Sequence, residues 1–181
     1  MRGREYTILI DKREKKPLVF PAALEILDPR ALPTEQKAIT VRLKTRAETL
    51  KTADYALADS PCNCYALSER SVIVETKRSI DEIAANCLSL SKRRNFVAQL
   101  TRMSESWRRP HLIVEGGLPT LSTTYPSSKV NPALALDALQ RLCLEYGVTL
   151  IPIPGSTPAA RRRTADYVAR LLINGTIVHG R

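Results

Sequence analysis

The strongest β-strand signal in the chain is Ser71-Val72-Ile73-Val74-Glu75-Thr76-Lys77, a run in which apolar and charged positions mix. β-Branched residues, which favour strands, are frequent in it. Side chains alternate between the faces of a strand with about 3.3 Å rise per residue, so Glu75 and Lys77 project from the same face. Because a buried charge is costly unless it is paired or bound to a metal, this pair is either a simple ion pair or part of a functional site.

Strands and helices alternate around this run. Further strands are predicted at Tyr6–Ile10, Ala38–Leu43, Ala53–Leu57, His111–Glu115 and Val148–Ile153, and helices from Ser79, over Arg94–Trp107, over Asn131–Tyr146 and from Thr157 to about Gly175. A short helix is predicted at Ala22–Leu27. The alternation in the second half indicates an α/β layer architecture. The chain has no internal repeat or linker, so one domain is predicted over residues 1–181, with its core at about 5–174.

The composition is that of a globular protein with an excess of positive charge. The chain has 181 residues, 44% of them hydrophobic, and a net charge of +10, which excludes disordered and collagen-like classes. No apolar run approaches the roughly 18 residues that cross a bilayer, and we find no secretory signal. The four cysteines have no framework spacing, so we expect reduced thiols in an intracellular protein. The basic excess is either a solvated surface or a nucleic-acid site.

Other acidic residues precede the Glu75–Lys77 pair. Asp54 begins the candidate strand before it, and Asp11 ends the first strand, followed by Glu14. Magnesium prefers oxygen ligands and often uses one or two carboxylates together with substrate phosphate. A metal at Asp54 and Glu75 would polarise a phosphoryl oxygen and activate water, while Lys77 would orient or help deprotonate that water and offset charge in the transition state. The spaced Asp…Glu-x-Lys pattern resembles that of the PD-(D/E)xK nucleases.

Three ordered segments resemble a narrower family, the XPF-type structure-specific endonuclease domain. They are Ile10-Asp11-Lys12-Arg13-Glu14, Ala53-Asp54-Tyr55 and Glu75-Thr76-Lys77-Arg78-Ser79-Ile80-Asp81. The strand His111–Glu115 with Gly116, and the last strand and helix, are similar to later units of that domain. The resemblance therefore covers almost the whole chain. It implies a restriction-endonuclease-like fold, with a central mixed sheet flanked by helices.

Carried over position by position, the resemblance implies a metal centre. Asp54 and Glu75 would bind Mg²⁺ or Mn²⁺, and Asp11 would be a further acidic ligand or a supporting group. Lys77 would be the catalytic lysine. The implied activity is a metal-dependent endonuclease that hydrolyses DNA phosphodiester bonds and favours flap, fork or branched substrates.

Other residues would support this centre or hold DNA. By resemblance, Arg13 and Glu14 would position the site or the phosphate, and Asp81 would support the motif from the start of its helix. We assign contact with the DNA backbone first to the basic run Lys92-Arg93-Arg94, just downstream of the site helix. Contacts of this kind position a protein without reading sequence. The run Arg161-Arg162-Arg163 is interpreted as a solvated helix face.

The sequence departs from the family pattern in the motifs themselves. Ala53 stands where the family has glycine, which raises the question of a positive φ there, and Thr76 stands where it has arginine. The tandem helix-hairpin-helix region often attached to this nuclease is not expected here. These departures motivate one alternative, a non-catalytic DNA-binding or partner-docking module that keeps the nuclease fold. A second alternative is a junction resolvase-like nuclease.

The resemblance also implies a mode of assembly and a setting. This nuclease fold commonly dimerises through its later helices, and six leucines could supply such a face or ordinary core packing: Leu134, Leu136, Leu139, Leu142, Leu171 and Leu172. Stand-alone versions resemble phage or prokaryotic proteins. The expected location is therefore a bacterial cytoplasm, or the host cytoplasm of a phage, with DNA as the partner and no membrane.

Overall fold

The computed structural model describes residues 4–58, 72–78, 80–107, 109–117, 130–155 and 157–178. These residues form seven strands: β1 Glu5–Asp11, β2 Ala23–Leu27, β3 Ala38–Glu48, β4 Tyr55–Leu57, β5 Val72–Lys77, β6 Arg109–Glu115 and β7 Thr149–Ile153. They also form four α-helices: α1 Ile80–Leu88, α2 Leu90–Ser106, α3 Pro132–Glu145 and α4 Pro158–Val178. Two residues of the predicted elements, Ser71 and Ser79, lie outside the described ranges.

The seven strands form one mixed sheet in the order β2-β3-β1-β4-β5-β6-β7. β1 runs parallel to β3 and antiparallel to β4, and β2 runs antiparallel to β3. β4 is antiparallel to β5, whereas β5, β6 and β7 are parallel to one another. The prediction of a restriction-endonuclease-like α/β fold with a central mixed sheet is confirmed.

Helices cover both faces of this sheet. On one face, Ile73 of β5 packs in an apolar cluster with Leu100 of α2 and Leu139 of α3, and α1 contributes to the same cluster. On the other face, Val74 packs in a second cluster with Val168 of α4. All six residues of β5 are buried. The first three alternate between the two cores, with Ile73 in the first cluster and Val72 and Val74 in the second.

Charged residues from separate segments meet at one edge of the sheet. β1, β5 and β6 end there at Asp11, Lys77 and Glu115. The antiparallel β4 begins at the same edge, directly after Asp54. In α/β sheets, ligands bind outside the carboxyl ends of the parallel strands. This edge is therefore the place in the fold where a functional site is expected.

The predicted helix at Ala22–Leu27 is wrong, because these residues form β2. Burial alternates along it: Leu24 and Ile26 enter the core, while the residues around and between them are exposed. Burial that repeats at every second residue is typical of a strand. Antiparallel pairing with β3 supplies hydrogen bonds to its backbone, whereas a helix this short is marginal by itself.

Two helices are longer than predicted. α2 begins at Leu90 rather than Arg94, and α4 continues through Gly175 to Val178. Gly175 lies so close to Val72 that a Cβ atom there would overlap with the valine side chain. The glycine therefore allows α4 to approach β5 and does not end the helix. No helix in the described part of the chain is long and apolar enough to cross a membrane.

The six leucines considered for a dimer face differ in exposure. Three are fully buried core residues: Leu139, Leu142 and Leu172. Leu136 and Leu171 are half-buried, and Leu134 is 60% exposed. Leu144 of α3, which was not among the six, is 83% exposed, so α3 presents a mixed face with a few apolar side chains.

Candidate active site

Asp54 lies between β1 and β5 and is held by backbone hydrogen bonds to both. Its N–H donates to the carbonyl of Val74 at 3.0 Å, and its own carbonyl accepts from the N–H of Asp11 at 2.9 Å. Ala53, directly before it, has φ +66°. This position does require the left-handed region, which costs an alanine roughly 1–2 kcal/mol. Burial of the Ala53 methyl group in the core offsets part of that cost.

The side chain of Asp54 is oriented by Thr76. Oδ2 of Asp54 accepts a hydrogen bond from the Thr76 backbone N–H at 2.8 Å and another from its hydroxyl at 2.6 Å. Oδ1 accepts no hydrogen bond from the described residues. Thr76 therefore fixes one carboxylate oxygen and leaves the other available to a ligand.

Glu75 and Lys77 form a buried ion pair on β5. Nζ of Lys77 lies 2.7 Å from Oε1 of Glu75 and 3.2 Å from Oε1 of Glu82. It also lies 5.9 Å from the centroid of the Phe96 ring, within the range of a cation–π contact. Because Glu82 belongs to α1 and Phe96 to α2, the lysine is fixed between the strand and two helices.

Burial and charge shift the ionisation of two groups in this site. Burial, reinforced by the nearby carboxylate of Glu75, raises the pKa of Asp54 to about 7, although the hydrogen bonds from Thr76 oppose the shift. Burial alone would lower the pKa of Lys77, but the carboxylates of Glu75 and Glu82 raise it above its ordinary value. Lys77 is therefore a cation at neutral pH, and ionised Asp54 would be stabilised by a further positive charge.

Asp54 and Glu75 line two openings at this edge of the sheet. The first is a cavity of about 250 Å³, whose other lining residues are Asp11, Arg13, Glu14, Lys51, Thr52, Ala53, Gln99 and Arg102. The second is a cleft of about 300 Å³, whose other lining residues are Arg13, Glu14, Lys15, Thr76, Lys77, Arg78 and Glu82. A larger apolar cleft of about 730 Å³, between α3 and β7, has no acidic or basic lining residue.

The donor atoms fit a hard divalent cation such as Mg²⁺. Like Oδ1 of Asp54, Oε2 of Glu75 accepts no hydrogen bond from the described residues. Two carboxylates, with water and substrate oxygens completing the shell, suit magnesium. Within the described ranges, no group of three Asp, Glu, His or Cys side chains converges as a metal site. The site therefore offers two carboxylates rather than three, with Asp11 beside them.

Asp11 is engaged by Arg13. Nε of Arg13 donates to the two carboxylate oxygens of Asp11 at 2.8 and 3.1 Å, and the backbone N–H of Arg13 donates to Oδ1 at 3.1 Å. The guanidinium also donates to the carbonyl of Leu50. The pair thus ties the end of β1 to the segment that leads to Asp54. This geometry favours the supporting role for Asp11, which was one of its two predicted roles.

Glu14 and Asp81 are placed differently from the central carboxylates. Glu14 lines both openings, but its carboxylate forms an ion pair with Arg78 and accepts from the N–H of Lys16 at 2.6 Å. Asp81 lies in the first turn of α1, and its Oδ1 is buried and has no hydrogen-bond partner among the described residues. Neither carboxylate is one of the two that the metal hypothesis requires.

The predicted DNA-binding run lies at the start of α2, outside both openings. Nη1 of Arg93 donates to the carbonyl of Cys87 at 2.7 Å, so this side chain ties α2 to the end of α1. Lys92 and Arg94 are exposed. The run is therefore not assembled with the carboxylates, and one of its three cations has a structural hydrogen bond.

Sequence reasoning missed Gln99 and Arg102, which α2 brings to the 250 Å³ cavity. They lie beside the buried positions Phe96, Leu100 and Met103, which set the rotation of the helix against the sheet. The three-residue spacing of Gln99 and Arg102 puts them on one helix face. The sequence shows that these two residues share a helix face, but it does not show which part of the molecule that face lies against.

A second charged cluster borders the site on the other face of the sheet. Glu115, whose side chain is 1% exposed, accepts from Nη1 of Arg161 at 2.8 and 2.9 Å. Nη2 of Arg161 donates to the carbonyl of Lys16 at 2.6 Å, and Arg78 donates to the same carbonyl at 2.7 Å. The interpretation of Arg161 as part of a solvated face is wrong, because α4 aims it at a buried carboxylate.

Comparison with known proteins agrees with this geometry. The family model of the ERCC4 domain matches residues 10–171. XPF from Aeropyrum pernix is similar in structure, with a TM-score of 0.54 and 21% identity over 91% of this chain and 60% of that one. XPF from Aeropyrum pernix in complex with DNA is similar too, with a TM-score of 0.54 and 17% identity over 93% of this chain and 66% of that one. No curated protein sequence matches the chain significantly.

The chain spans less than two thirds of either XPF structure, and at these identities the structural likeness concerns the fold. The family model, by contrast, covers the segments that carry all three motifs. The resemblance to the XPF-type domain, first drawn from those motifs, is confirmed. This chain belongs to the ERCC4-domain family.

Proposed function

We propose that this chain is a Mg²⁺- or Mn²⁺-dependent endonuclease that hydrolyses DNA phosphodiester bonds, with flap, fork or branched DNA preferred over plain duplex. One observation carries the proposal: Asp54, Glu75 and Lys77 share one edge of the sheet, where both carboxylates line the same cavity and an ammonium group lies 2.7 Å from one of them. Membership of the ERCC4-domain family supports the reaction class.

Asp54 and Glu75 would hold the metal through Oδ1 and Oε2. When bound, a divalent cation polarises the scissile phosphoryl oxygen and lowers the pKa of water. Thr76 orients Asp54 through two hydrogen bonds, so little rearrangement is needed to present the free oxygen. Such supporting contacts commonly matter for metal affinity nearly as much as the ligands do.

Lys77 would act as a positioned cation. Because the neighbouring carboxylates raise its pKa, it is poorly suited to remove a proton at neutral pH. Its ammonium group can donate hydrogen bonds to the attacking water and to a developing phosphate charge. Of the roles predicted for this lysine, orienting water and offsetting charge suit the protonated form, whereas helping to deprotonate the water would need the neutral amine.

DNA as the substrate is supported by charge and by family. The chain carries a net charge of +10, which favours association with a polyanion. A solved structure of similar fold is an XPF protein in complex with DNA. Arg13 and Glu14 would position the loop beside the scissile phosphate, and Lys92 and Arg94 would contact the backbone further away.

The test is cleavage of end-labelled flap, fork, four-way junction and linear DNA by the purified chain with Mg²⁺ or Mn²⁺. We expect cuts near the branch point, abolished in Asp54→Ala and strongly reduced in Lys77→Ala. If the wild type cuts none of these substrates, the enzyme hypothesis fails. If both variants cut like the wild type, the site is wrong or the activity comes from a contaminant.

Two alternatives predict different outcomes of the same measurements. A non-catalytic module would bind DNA with strong salt dependence, turn over no substrate and give no metal-binding heat in calorimetry. A junction resolvase-like enzyme would leave symmetric paired nicks in a four-way junction. The two-carboxylate donor set and its alignment by Thr76 favour the catalytic hypothesis over the first alternative.

Self-association remains part of the proposal. The exposed Leu134 and Leu144 of α3 offer apolar contact area, and Leu144 lines the apolar cleft beside the edge strand β7. We infer a homodimer through this later part of the chain. Light scattering after size exclusion measures the mass directly, and a monomer at micromolar concentration would contradict the dimer without affecting the catalytic proposal.

A further inference from the structure

Helix α2 contributes two residues to the lining of the 250 Å³ cavity that also holds the carboxylates. The cavity has four acidic lining residues, Asp11, Glu14, Asp54 and Glu75, whereas α2 contributes Gln99 and Arg102. A DNA phosphate is repelled by carboxylates unless cations and hydrogen-bond donors also face it. The cations available to this cavity therefore decide how a substrate phosphate can enter it.

Most cations near the carboxylates are already engaged. Arg13 is bound to Asp11 and to the carbonyl of Leu50. Lys77 is paired with Glu75 and Glu82. By contrast, the guanidinium of Arg102 has no ion pair or hydrogen bond with any described residue, and the side chain is exposed.

Arg78, another cation near the carboxylates, also has partners within the protein. Its guanidinium forms an ion pair with Glu14, lies 3.9 Å from Glu115 and donates to the carbonyl of Lys16 at 2.7 Å. It holds the loop after β1 against the sheet edge. Like Arg13 and Lys77, it already has anionic and carbonyl partners, so it is less available to a phosphate than Arg102.

The geometry points to Arg102, with Gln99 one turn before it, as the phosphate-binding residues of this cavity. This inference rests on the proposed function and names the side chains that receive the DNA backbone there. A guanidinium can bind two phosphate oxygens at once, and the Gln99 amide can donate a further hydrogen bond. Metal and substrate would thus be held by different elements that line the cavity, the metal by carboxylates at the strand ends and the phosphate by donors on α2.

The support beneath these two residues is rigid. Phe96, Leu100 and Met103 of α2 are at most 4% exposed, and they lock the helix onto the sheet. The cavity has a volume of about 250 Å³, whereas one water molecule occupies roughly 30 Å³ in the liquid. The cavity therefore has room for a hydrated cation and a phosphate group together.

The test measures DNA binding and cleavage separately. With Ca²⁺ in place of Mg²⁺, fluorescence anisotropy of a labelled flap DNA over a salt series gives the affinity and its salt slope. We expect Arg102→Ala to weaken binding by about tenfold and to reduce the slope by about 0.9, the value for one lost phosphate contact in duplex DNA. Arg102→Lys should recover part of the affinity, because it keeps the charge without the two-pronged geometry.

A matched control is Arg141→Ala, which removes the same charge from a 78% exposed arginine on α3 that pairs with Asp137. The DNA affinity of Arg141→Ala should stay within twofold of that of the wild type. Gln99→Glu, which adds a carboxylate to the cavity, should weaken binding more than Gln99→Ala. If Arg102→Ala matches Arg141→Ala in affinity, salt slope and single-turnover rate, the inference is overturned.

The two hypotheses can fail independently. If the wild type cuts DNA and Arg102→Ala behaves like the control, only the phosphate assignment fails. If the wild type cuts no DNA but loses affinity and salt slope on Arg102→Ala, the endonuclease proposal fails and the phosphate assignment stands. Melting temperatures of all variants confirm folding, which an exposed position such as Arg102 should not disturb.

Discussion

Thr76 donates two hydrogen bonds to the same oxygen of Asp54, at 2.8 Å from its backbone N–H and 2.6 Å from its hydroxyl. Sequence comparison with the family motif suggested only a lost positive charge at this position. The contact gives Thr76 a different role, because a carboxylate that accepts two hydrogen bonds is both oriented and favoured in its charged form.

Replacing Thr76 with valine keeps the shape and removes the hydroxyl. We expect Thr76→Val to weaken Mn²⁺ binding by about 10- to 100-fold, the usual range for residues that support metal ligands. Calorimetry of Mn²⁺ binding above pH 7.5 measures the change. Thr76→Ser, which keeps the hydroxyl, is the control and should bind within a fewfold of the wild type. Equal affinity in Thr76→Val would show that Thr76 does not align Asp54.

The role proposed for Lys77 predicts a specific effect of its substitution on the cleavage rate. Because it acts as a cation, Lys77→Met should lower the single-turnover cleavage rate by on the order of 10²–10³-fold without abolishing metal binding. Lys44→Met removes a 64% exposed lysine on β3 and should leave the rate unchanged. The wild-type rate should also show no inflection from Lys77 as pH rises from 7 to 9, since its pKa is raised. Comparable rates in both variants would contradict this role.

The sequence predicted the centre of the site because that information is local. The alternation of Val74, Glu75 and Lys77 along one strand fixes which side chains share a face. Asp54 entered the same hypothesis through the spaced Asp…Glu-x-Lys pattern, which joined two carboxylates and a lysine in one predicted site. The fold class followed from strand–helix alternation and the motif order.

The remaining features depend on tertiary packing. Nothing local marks Arg161 as the partner of Glu115, since the contact joins the first turns of α4 to the end of β6. Arg102 likewise looks like any exposed helix residue until the face of α2 is set against the sheet. The short strand β2 was missed because its five residues pair only with a distant segment.

Asp54 should make metal-free stability depend on pH. Its folded-state pKa of about 7 lies above the value of roughly 3.9 in an unfolded chain. Stability contributed by the protonated form is therefore present below pH 4 and lost as pH rises towards 7. In EDTA, the melting temperature of Asp54→Asn should exceed that of the wild type by a margin that grows over this range. Millimolar Mg²⁺ should raise the wild-type melting temperature more at pH 8 than at pH 5.5, and a margin independent of pH would contradict the assignment.

His111 should make stability depend on pH in the direction opposite to that expected for Asp54. Burial, together with the charge of Arg109, lowers the pKa of His111 to about 4, and its buried Nδ1 has no partner within the part of the chain that the structure describes. The unfolded chain then binds the proton more readily, so stability falls as pH drops from 6.5 towards 4. The difference in unfolding free energy between His111→Leu and the wild type should be about 2 kcal/mol larger at pH 5 than at pH 7.5. Urea denaturation at the two pH values measures it, and equal differences would contradict the prediction.

The Arg161–Glu115 pair should be a strong determinant of stability. Glu115 is almost fully buried, and Arg161 supplies its short hydrogen bonds, while Arg78 is 3.9 Å away. Removing one partner of a buried pair leaves an uncompensated charge, which costs about 3–5 kcal/mol. We therefore expect Arg161→Met to lower the free energy of unfolding by that amount in urea denaturation, and Arg162→Met, its exposed neighbour, to change it by less than about 0.5 kcal/mol. The double variant Arg161→Met/Glu115→Gln should recover part of the loss, because it removes the stranded carboxylate. A loss below about 1 kcal/mol for Arg161→Met would mean that Arg78 alone compensates Glu115.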